Sequence, residues 1–324
     1  MTAIALAPEE QRGVADPDEG QGAAPIFIVG VSRSGTTLIR RILNRSDQIA
    51  ICAENHFMGH LLSWEGTRYK FRQLGDLADD ENVRKLVDFI YTGGLERSWR
   101  YRQMSSHWYW LIKRVDPNVL RERILASDRS ERALFMIMMT LYAEQKGKPL
   151  MGEKTPAHVR YVDTLLAWYP EAKVIHMVRD PRAIYVSELR RRQVDKESTL
   201  YRYLKRVSPL FKLFVFMQTA LAWWESVARY RRYRRSFVKN YYPLKFERLV
   251  QEPEQTIRDL CCFLGVEFQE SMLDQEVVSL GFSAGQQGFD ARTAQRWKAQ
   301  IDPWVDRAYS FLFKSYVSEF GYLD

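Results

Sequence analysis

The chain has 324 residues, 46% hydrophobic and 27% charged, enough to bury a large core as one elaborated domain or two smaller ones. Its formal charge of +8 favours anionic ligands, while three cysteines, Cys52, Cys261 and Cys262, exclude a disulfide framework and point to a reducing compartment. No stretch reaches about 18 uncharged apolar residues and no basic segment followed by an apolar run opens the chain, so a cytoplasmic protein without a membrane anchor is expected.

Residues 1–24 carry too little apolar surface to pack and read as a disordered tail, so the fold begins near Pro25. The pattern predicts a strand at Ile26–Val29, a helix at Thr36–Asn44 and a short strand at Ile49–Cys52, followed by helices to about Lys146. Strands return at Leu150–Gly152, Lys173–Val178 and Pro243–Phe246, each followed by helical patterning. Strands alternating with helices predict an α/β fold with a P-loop-type parallel sheet flanked by helices. The helical block at 59–146, with Trp64, Trp99, Trp108, Tyr109 and Trp110, is too long for a simple crossover and reads as a cap inserted into a single domain spanning 25–324.

Between the first strand and helix runs Gly30-Val31-Ser32-Arg33-Ser34-Gly35-Thr36-Thr37, a glycine-bracketed loop that turns backbone N–H groups inward and adds a helix N-terminus. It matches the G-x-x-x-x-G spacing of a P-loop, but Thr36-Thr37 follows where a lysine and a hydroxyl are usual, and Arg33 lies inside the loop instead. Phosphoryl transfer from a triphosphate calls for that lysine and a magnesium ion. A sulfuryl group carries one negative charge fewer, so a single cation such as Arg33 at the bridging oxygen would suffice.

A second basic element follows the strand Lys173–Val178. Pro181 suits a helix start, which leaves Arg179 at the strand's carboxyl end facing the crevice, with Ser187 and Arg191 on one helix face. Arginine, hydroxyl and arginine together suit a second phosphate. Neither the five histidines nor the cysteines are spaced for a metal. The run Arg229–Arg235 alternates arginine and tyrosine, but Phe216, Ala220, Trp223, Val227 and Tyr230 recur at helical spacing, so it reads as the outer face of an amphipathic helix and not as a nucleic-acid site. Three readings stay open on the residues alone: a sulfuryl-transfer enzyme, a P-loop nucleotide kinase or NTPase, and a non-catalytic nucleotide-binding protein.

The Gly30–Thr37 loop resembles the 5′-phosphosulfate loop of sulfotransferases, and Arg179–Ser187 resembles their 3′-phosphate motif. Cys52-Ala53-Glu54-Asn55-His56-Phe57 is similar to the segment carrying the catalytic glutamate in Golgi-type tyrosylprotein and heparan sulfate sulfotransferases, and Gly152-Glu153-Lys154-Thr155-Pro156 to a run of the heparan sulfate branch. Leu244–Leu249, Pro253 and Phe263-Leu264-Gly265 extend the similarity, which covers Pro25 to about Phe268. The resemblance implies 3′-phosphoadenosine 5′-phosphosulfate (PAPS) as donor, 3′-phosphoadenosine 5′-phosphate (PAP) as product and no metal. It implies Glu54 as base, with Arg33 and Lys154 stabilising the leaving phosphate. Arg33, Ser34, Gly35, Thr36 and Thr37 would hold the 5′ end, Arg179, Ser187 and Arg191 the 3′-phosphate, and Arg296 would close over the nucleotide. His56 and His60 stand where tyrosylprotein enzymes carry arginines, so they are assigned to the acceptor side, and a carbohydrate or small-molecule hydroxyl is expected in place of an acidic peptide. Phe246 stands where relatives have a tyrosine that reaches the nucleotide.

Overall fold

A computed structural model of the chain describes residues 24–59, 66–92, 102–194, 203–274 and 288–322. Residues 1–23 of the expected tail, His60, Trp64 and Trp99 lie outside the described residues. Five parallel strands, β1 (Ile26–Gly30), β2 (Ile49–Cys52), β3 (Leu150–Lys154), β4 (Lys173–Val178) and β5 (Tyr241–Lys245), form one sheet in the order β2-β3-β1-β4-β5. The chain leaves β1 for one edge, returns through β3 and then crosses to β4. Connections therefore diverge on either side of β1, which opens a crevice at its carboxyl end.

Alternation along the strands splits the core in two. Phe27, Val29, Ala50 and Val174 face one cluster, whereas Ile26, Ile28, Ile51 and Ile175 face the other. The second cluster is covered by α1 (Thr36–Leu43), which follows β1 and contributes Ile39, Ile42 and Leu43. Between β2 and β3 come α2 (Thr67–Arg72), α3 (Asp80–Tyr91), α4 (Arg102–Arg114), α5 (Pro117–Leu125) and α6 (Glu131–Lys146). These helices share the first cluster with the sheet: Phe135 of α6 stacks on Phe57 at 4.6 Å between ring centroids and on Phe27 at 5.9 Å. The segment read as a cap thus forms a layer continuous with the sheet's own core, and Trp108 is buried within it while Tyr109 is exposed.

After β3 come α7 (Val162–Trp168), then β4 and α8 (Pro181–Val194), and the long α9 (Ser208–Ser236). The stripe Phe216, Ala220, Trp223, Val227 and Tyr230 of α9 is buried as its spacing predicts. Its arginines are engaged by carboxylates, Arg229 by Glu225, Arg231 by Glu319 and Arg232 by Asp163. Beyond β5 follow α10 (Phe246–Gln251), α11 (Pro253–Leu264), α12 (Pro303–Leu312) and α13 (Lys314–Glu319). Among the described residues no helix is long and apolar enough to cross a membrane.

Two strand limits differ from the sequence pattern. β3 runs on through Glu153 and Lys154, whose charges ended the apolar run, because both side chains find polar partners, His158 and Glu54. β5 starts at Tyr241 and accommodates Pro243 because it is an edge strand, where a missing N–H costs no ladder bond; Phe246 begins the next helix.

Candidate active site

The five carboxyl ends deliver the site residues in a row. Glu54 follows β2, Lys154 ends β3, the Gly30–Gly35 loop follows β1, Arg179 follows β4 and Phe246 follows β5. With strands about 4.8 Å apart, β2 and β1 are separated by about 10 Å.

The loop is shaped by its glycines and by Ser34. Gly35 has φ 103°, and a Cβ there would lie 2.6 Å from the Phe246 ring; at Gly30, φ 147°, it would lie 2.6 Å from the Met177 carbonyl. Arg33 also adopts a left-handed conformation, φ 74°, which costs a side-chain-bearing residue of order 1 kcal/mol or more and aims its guanidinium away from the turn. Ser34 donates both its amide, at 3.1 Å, and its hydroxyl, at 2.7 Å, to the Val31 carbonyl. Its polar groups therefore hold the turn closed, and it is fully buried.

The two basic elements meet. Arg33 Nε donates to Ser187 Oγ at 3.0 Å, and Arg179 Nη1 donates to the Arg33 carbonyl at 3.0 Å. Arg33, Gly35, Thr36, Thr37, Arg179 and Ser187 line one cavity of about 210 Å³. Phe246 lines it as well and carries the Arg179 guanidinium 3.9 Å above its ring centroid. The outer wall comes from the later chain, with Phe289, Arg296 and Trp297. Arg296 is ion-paired with Asp290.

Arg191 is turned onto Glu188, with contacts of 2.6 and 3.0 Å, and does not line the cavity. Its neighbour Arg190 does, donating to Gln300 at 2.6 Å. One helical position separates them, and spacing alone could not tell which faces inward.

The cavity is electrostatically unfilled. None of Arg33, Arg179 and Arg190 forms an ion pair with a described carboxylate, and Arg179 Nε is buried without a hydrogen-bond partner. Burial, opposed by Glu247 and reinforced by Arg33, pushes the Arg179 guanidinium down to about 10; burial also lowers Arg33. Glu247 is itself committed to the Asp180 amide at 3.1 Å and the Tyr322 hydroxyl at 2.9 Å.

At the β2 and β3 ends the charges already have partners. Lys154 Nζ donates to Glu54 Oε1, and His56 Nε2 lies 3.4 Å from Glu54 Oε2. Burial opposes the Glu54 charge, but His56 and Lys154 outweigh it and hold the carboxyl well below the ordinary carboxylate range. His56, with φ 52°, sits at a tight turn held by an inner network that sequence reading missed. Met58 N–H donates to His158 Nε2 at 3.3 Å, which leaves Nδ1 as the protonated nitrogen facing Glu153 Oε2 at 3.1 Å. Thr155 donates its hydroxyl to the other Glu153 oxygen and accepts from the Asn55 amide at 3.3 Å. The backbone on both sides of His56, at Asn55 and Met58, is thus tied to the segment that follows β3. His158 lies only five residues beyond Glu153, and that spacing was the available signal.

Residues 25–270 match the sulfotransferase family. The omega-hydroxy-beta-dihydromenaquinone-9 sulfotransferase Stf3 of Mycobacterium bovis is 26% identical over 272 residues, covering 78% of this chain. The match takes in 64% of that relative, less than two thirds of its length. A putative protein-tyrosine sulfotransferase of Caenorhabditis briggsae is 22% identical over 274 residues, covering 82% of this chain and 74% of the relative. Among solved structures, the sulfotransferase domain of the Synechococcus PCC 7002 olefin synthase superposes with a TM-score of 0.52 at 18% identity, covering 93% of this chain and 99% of that one, so the two share a fold.

Proposed function

Because this chain belongs to the sulfotransferase family, we propose that it transfers a sulfuryl group from PAPS to the hydroxyl of a small-molecule or carbohydrate acceptor. The observation that carries this reading is the meeting of Arg33 and Arg179 on one cavity, with a buried Arg179 Nε still lacking a partner. An anion with two separated charged groups fits that donor set, and Phe246 and Trp297 add aromatic surface to the cavity lining.

When bound, the donor supplies an activated sulfuryl group whose bond to a 5′-phosphate oxygen is the one broken. The Gly35–Thr37 amides and Arg33 bind that 5′ end and take up the charge left on the departing oxygen. Arg179 and Ser187 hold the 3′-phosphate, with Arg190 in the position first assigned to Arg191, and Arg296 stands on the outer wall. Glu54 accepts the acceptor's hydroxyl proton. A carboxylate held so far below its ordinary range is a weak base, so Lys154 must loosen its grip on Glu54 before proton transfer is effective. Lys154 is placed to exchange Glu54 for the leaving phosphate, which would couple donor binding to activation of the base.

The acceptor class rests on two observations. His56 stands where the tyrosylprotein sulfotransferases that this segment resembles carry an arginine, which disfavours an acidic peptide, and the mycobacterial relative is named for a hydroxylated menaquinone derivative. The test is incubation of the protein with PAPS and a panel of hydroxylated acceptors, read by mass spectrometry for the gain of one SO3. Glu54→Ala should retain PAP binding and lose roughly 10²-fold or more in turnover. Unchanged turnover removes Glu54 as base, while tighter binding of magnesium-ATP than of PAP returns the chain to the kinase reading.

A further inference from the structure

A second cleft runs along the outer edge of the sheet, away from the nucleotide cavity. It has a volume of about 490 Å³ and is lined by Arg40, Arg41 and Arg45 around the end of α1, by Tyr142 and Lys146 of α6, and by Lys148 in the turn before β3. Asn44 completes the wall. No carboxylate lines it. We propose that this cleft is a second anion site, built to bind a phosphate group carried on a ligand other than the sulfuryl donor.

Three observations support the assignment. First, the cleft is a fixed construction. Asn44 pairs with the free edge of β2, accepting from the Ile51 amide and donating to the Ile51 carbonyl, each at 2.9 Å, and Arg40 Nη1 reaches the same carbonyl at 3.3 Å. Lys148 Nζ donates to the Asn44 and Ser46 carbonyls at 2.7 and 2.6 Å, joining the end of α1 to the β3 turn.

Second, its arginines differ from most others on the surface. Arg123 is held by Glu144, Arg248 by Asp259 and Arg258 by Glu254, at 2.7 to 2.9 Å. Arg40, Arg41 and Arg45 form no ion pair with any described carboxylate, a property they share with Arg33, Arg179 and Arg190 of the nucleotide cavity. Asp47, whose charge acts on Lys148, accepts from Gln269 at 2.5 Å. Third, Arg40 Nε is buried without a hydrogen-bond partner, as Arg179 Nε is in the nucleotide cavity. Lys148 is shifted down by burial and by Lys146, which Asp47 only partly opposes.

A phosphate matches this donor set because the exposed guanidinium forks of Arg41 and Arg45 present paired N–H groups and Lys146 adds a point charge. The volume lies within the range of small-ligand sites. A free phosphoester and the headgroup of an anionic lipid offer the same chemistry.

The experiment is calorimetric titration of the full chain with inorganic pyrophosphate at about 0.1 M salt, where surface charges further apart than about 10 Å are screened. Wild type should bind at two classes of site. Arg41→Glu with Arg45→Glu, both exposed and therefore compatible with folding, should weaken one class by roughly tenfold or more, and Arg179→Ala should leave that class intact. Flotation with phosphatidylcholine vesicles carrying phosphatidic acid distinguishes the sources. Retention by wild type and not by the double variant identifies a lipid headgroup, and pyrophosphate binding without retention identifies a soluble phosphoester. A double variant that titrates like wild type, or loss of all pyrophosphate binding in Arg179→Ala, overturns the proposal. Failure of the PAPS reading would leave this result unaffected, because the two sites share no residue.

Discussion

The two halves of the candidate active site treat charge in opposite ways. At the ends of β1 and β4, Arg33, Arg179 and Arg190 converge on a cavity without a carboxylate partner, and burial depresses the first two. At the ends of β2 and β3, Glu54, Lys154 and His56 neutralise one another. On the proposed function the first half receives the anionic donor, and binding would recover the electrostatic cost of its crowded cations. The second half is a closed circuit whose members must be separated before any of them can act. On the proposed function binding falls to one side and chemistry to the other, which predicts that damage to each side will look different.

The largest expected effect on stability breaks the closed circuit. Lys154→Met leaves a largely buried carboxylate without its main cation, and removing one partner of a buried pair costs about 3 kcal/mol or more, reduced here because Glu54 is about a quarter exposed and keeps His56. We expect about 2 kcal/mol lower stability at pH 7 by urea unfolding. The pH dependence follows from the direction of the Glu54 shift. Its folded value lies below its unfolded value, so the pair's contribution is fully present above the ordinary carboxylate range near pH 4.3 and is lost as pH falls through the lower folded value. Lys154→Met should flatten that acid loss and move the acid limb of turnover upward. An unchanged stability profile between pH 3 and 7 would mean that the two residues do not act as a pair.

On the receptor side, Arg179→Ala should weaken PAP by about 1.5 to 3 kcal/mol, the range for hydrogen bonds to charged groups. Turnover at saturating donor should change little, since Arg179 faces the binding half. Calorimetry with PAP and kinetics at saturation check the two parts separately. A variant that keeps its affinity but loses turnover would reverse the assignment of the halves.

Much of this arrangement was legible in the residues. The glycine spacing, the Pro181 helix start and the strand pattern located Arg33, Arg179 and Glu54 at carboxyl ends of a parallel sheet, because period and turn chemistry are local properties. What escaped was set by side-chain direction and by late contacts. Arg190 and Arg191 are adjacent on one helix, and only the packing of α8 decides which lines the cavity. Ser34 lies inside the loop motif, yet its polar groups close the turn. Glu153, Thr155 and His158 stand in a stretch read for its lysine, and their network is invisible until β3 is known to continue through two charged residues. The aromatic helices at 67–146 read as a cap because a long insertion suggests a separate lobe; the ring stacking of Phe57, Phe135 and Phe27 that joins them to the sheet spans more than 100 positions of sequence.

The smallest effect tests what holds the receptor in shape. Phe246 has no polar group to offer a nucleotide, but it contacts both parts of the cavity: its ring excludes any side chain at position 35 and supports the Arg179 guanidinium from 3.9 Å. A cation over an aromatic face contributes about 1 kcal/mol when partly desolvated, so Phe246→Leu should weaken PAP by roughly fivefold through Arg179 alone. Phe246→Tyr keeps the ring and should bind at least as tightly as wild type. In an Arg179→Ala background the leucine substitution should lose most of its effect, because the cation it acts through is gone. Additive losses in that double variant would show that Phe246 contacts the nucleotide directly, and the aromatic support would then belong to the ligand and not to the arginine.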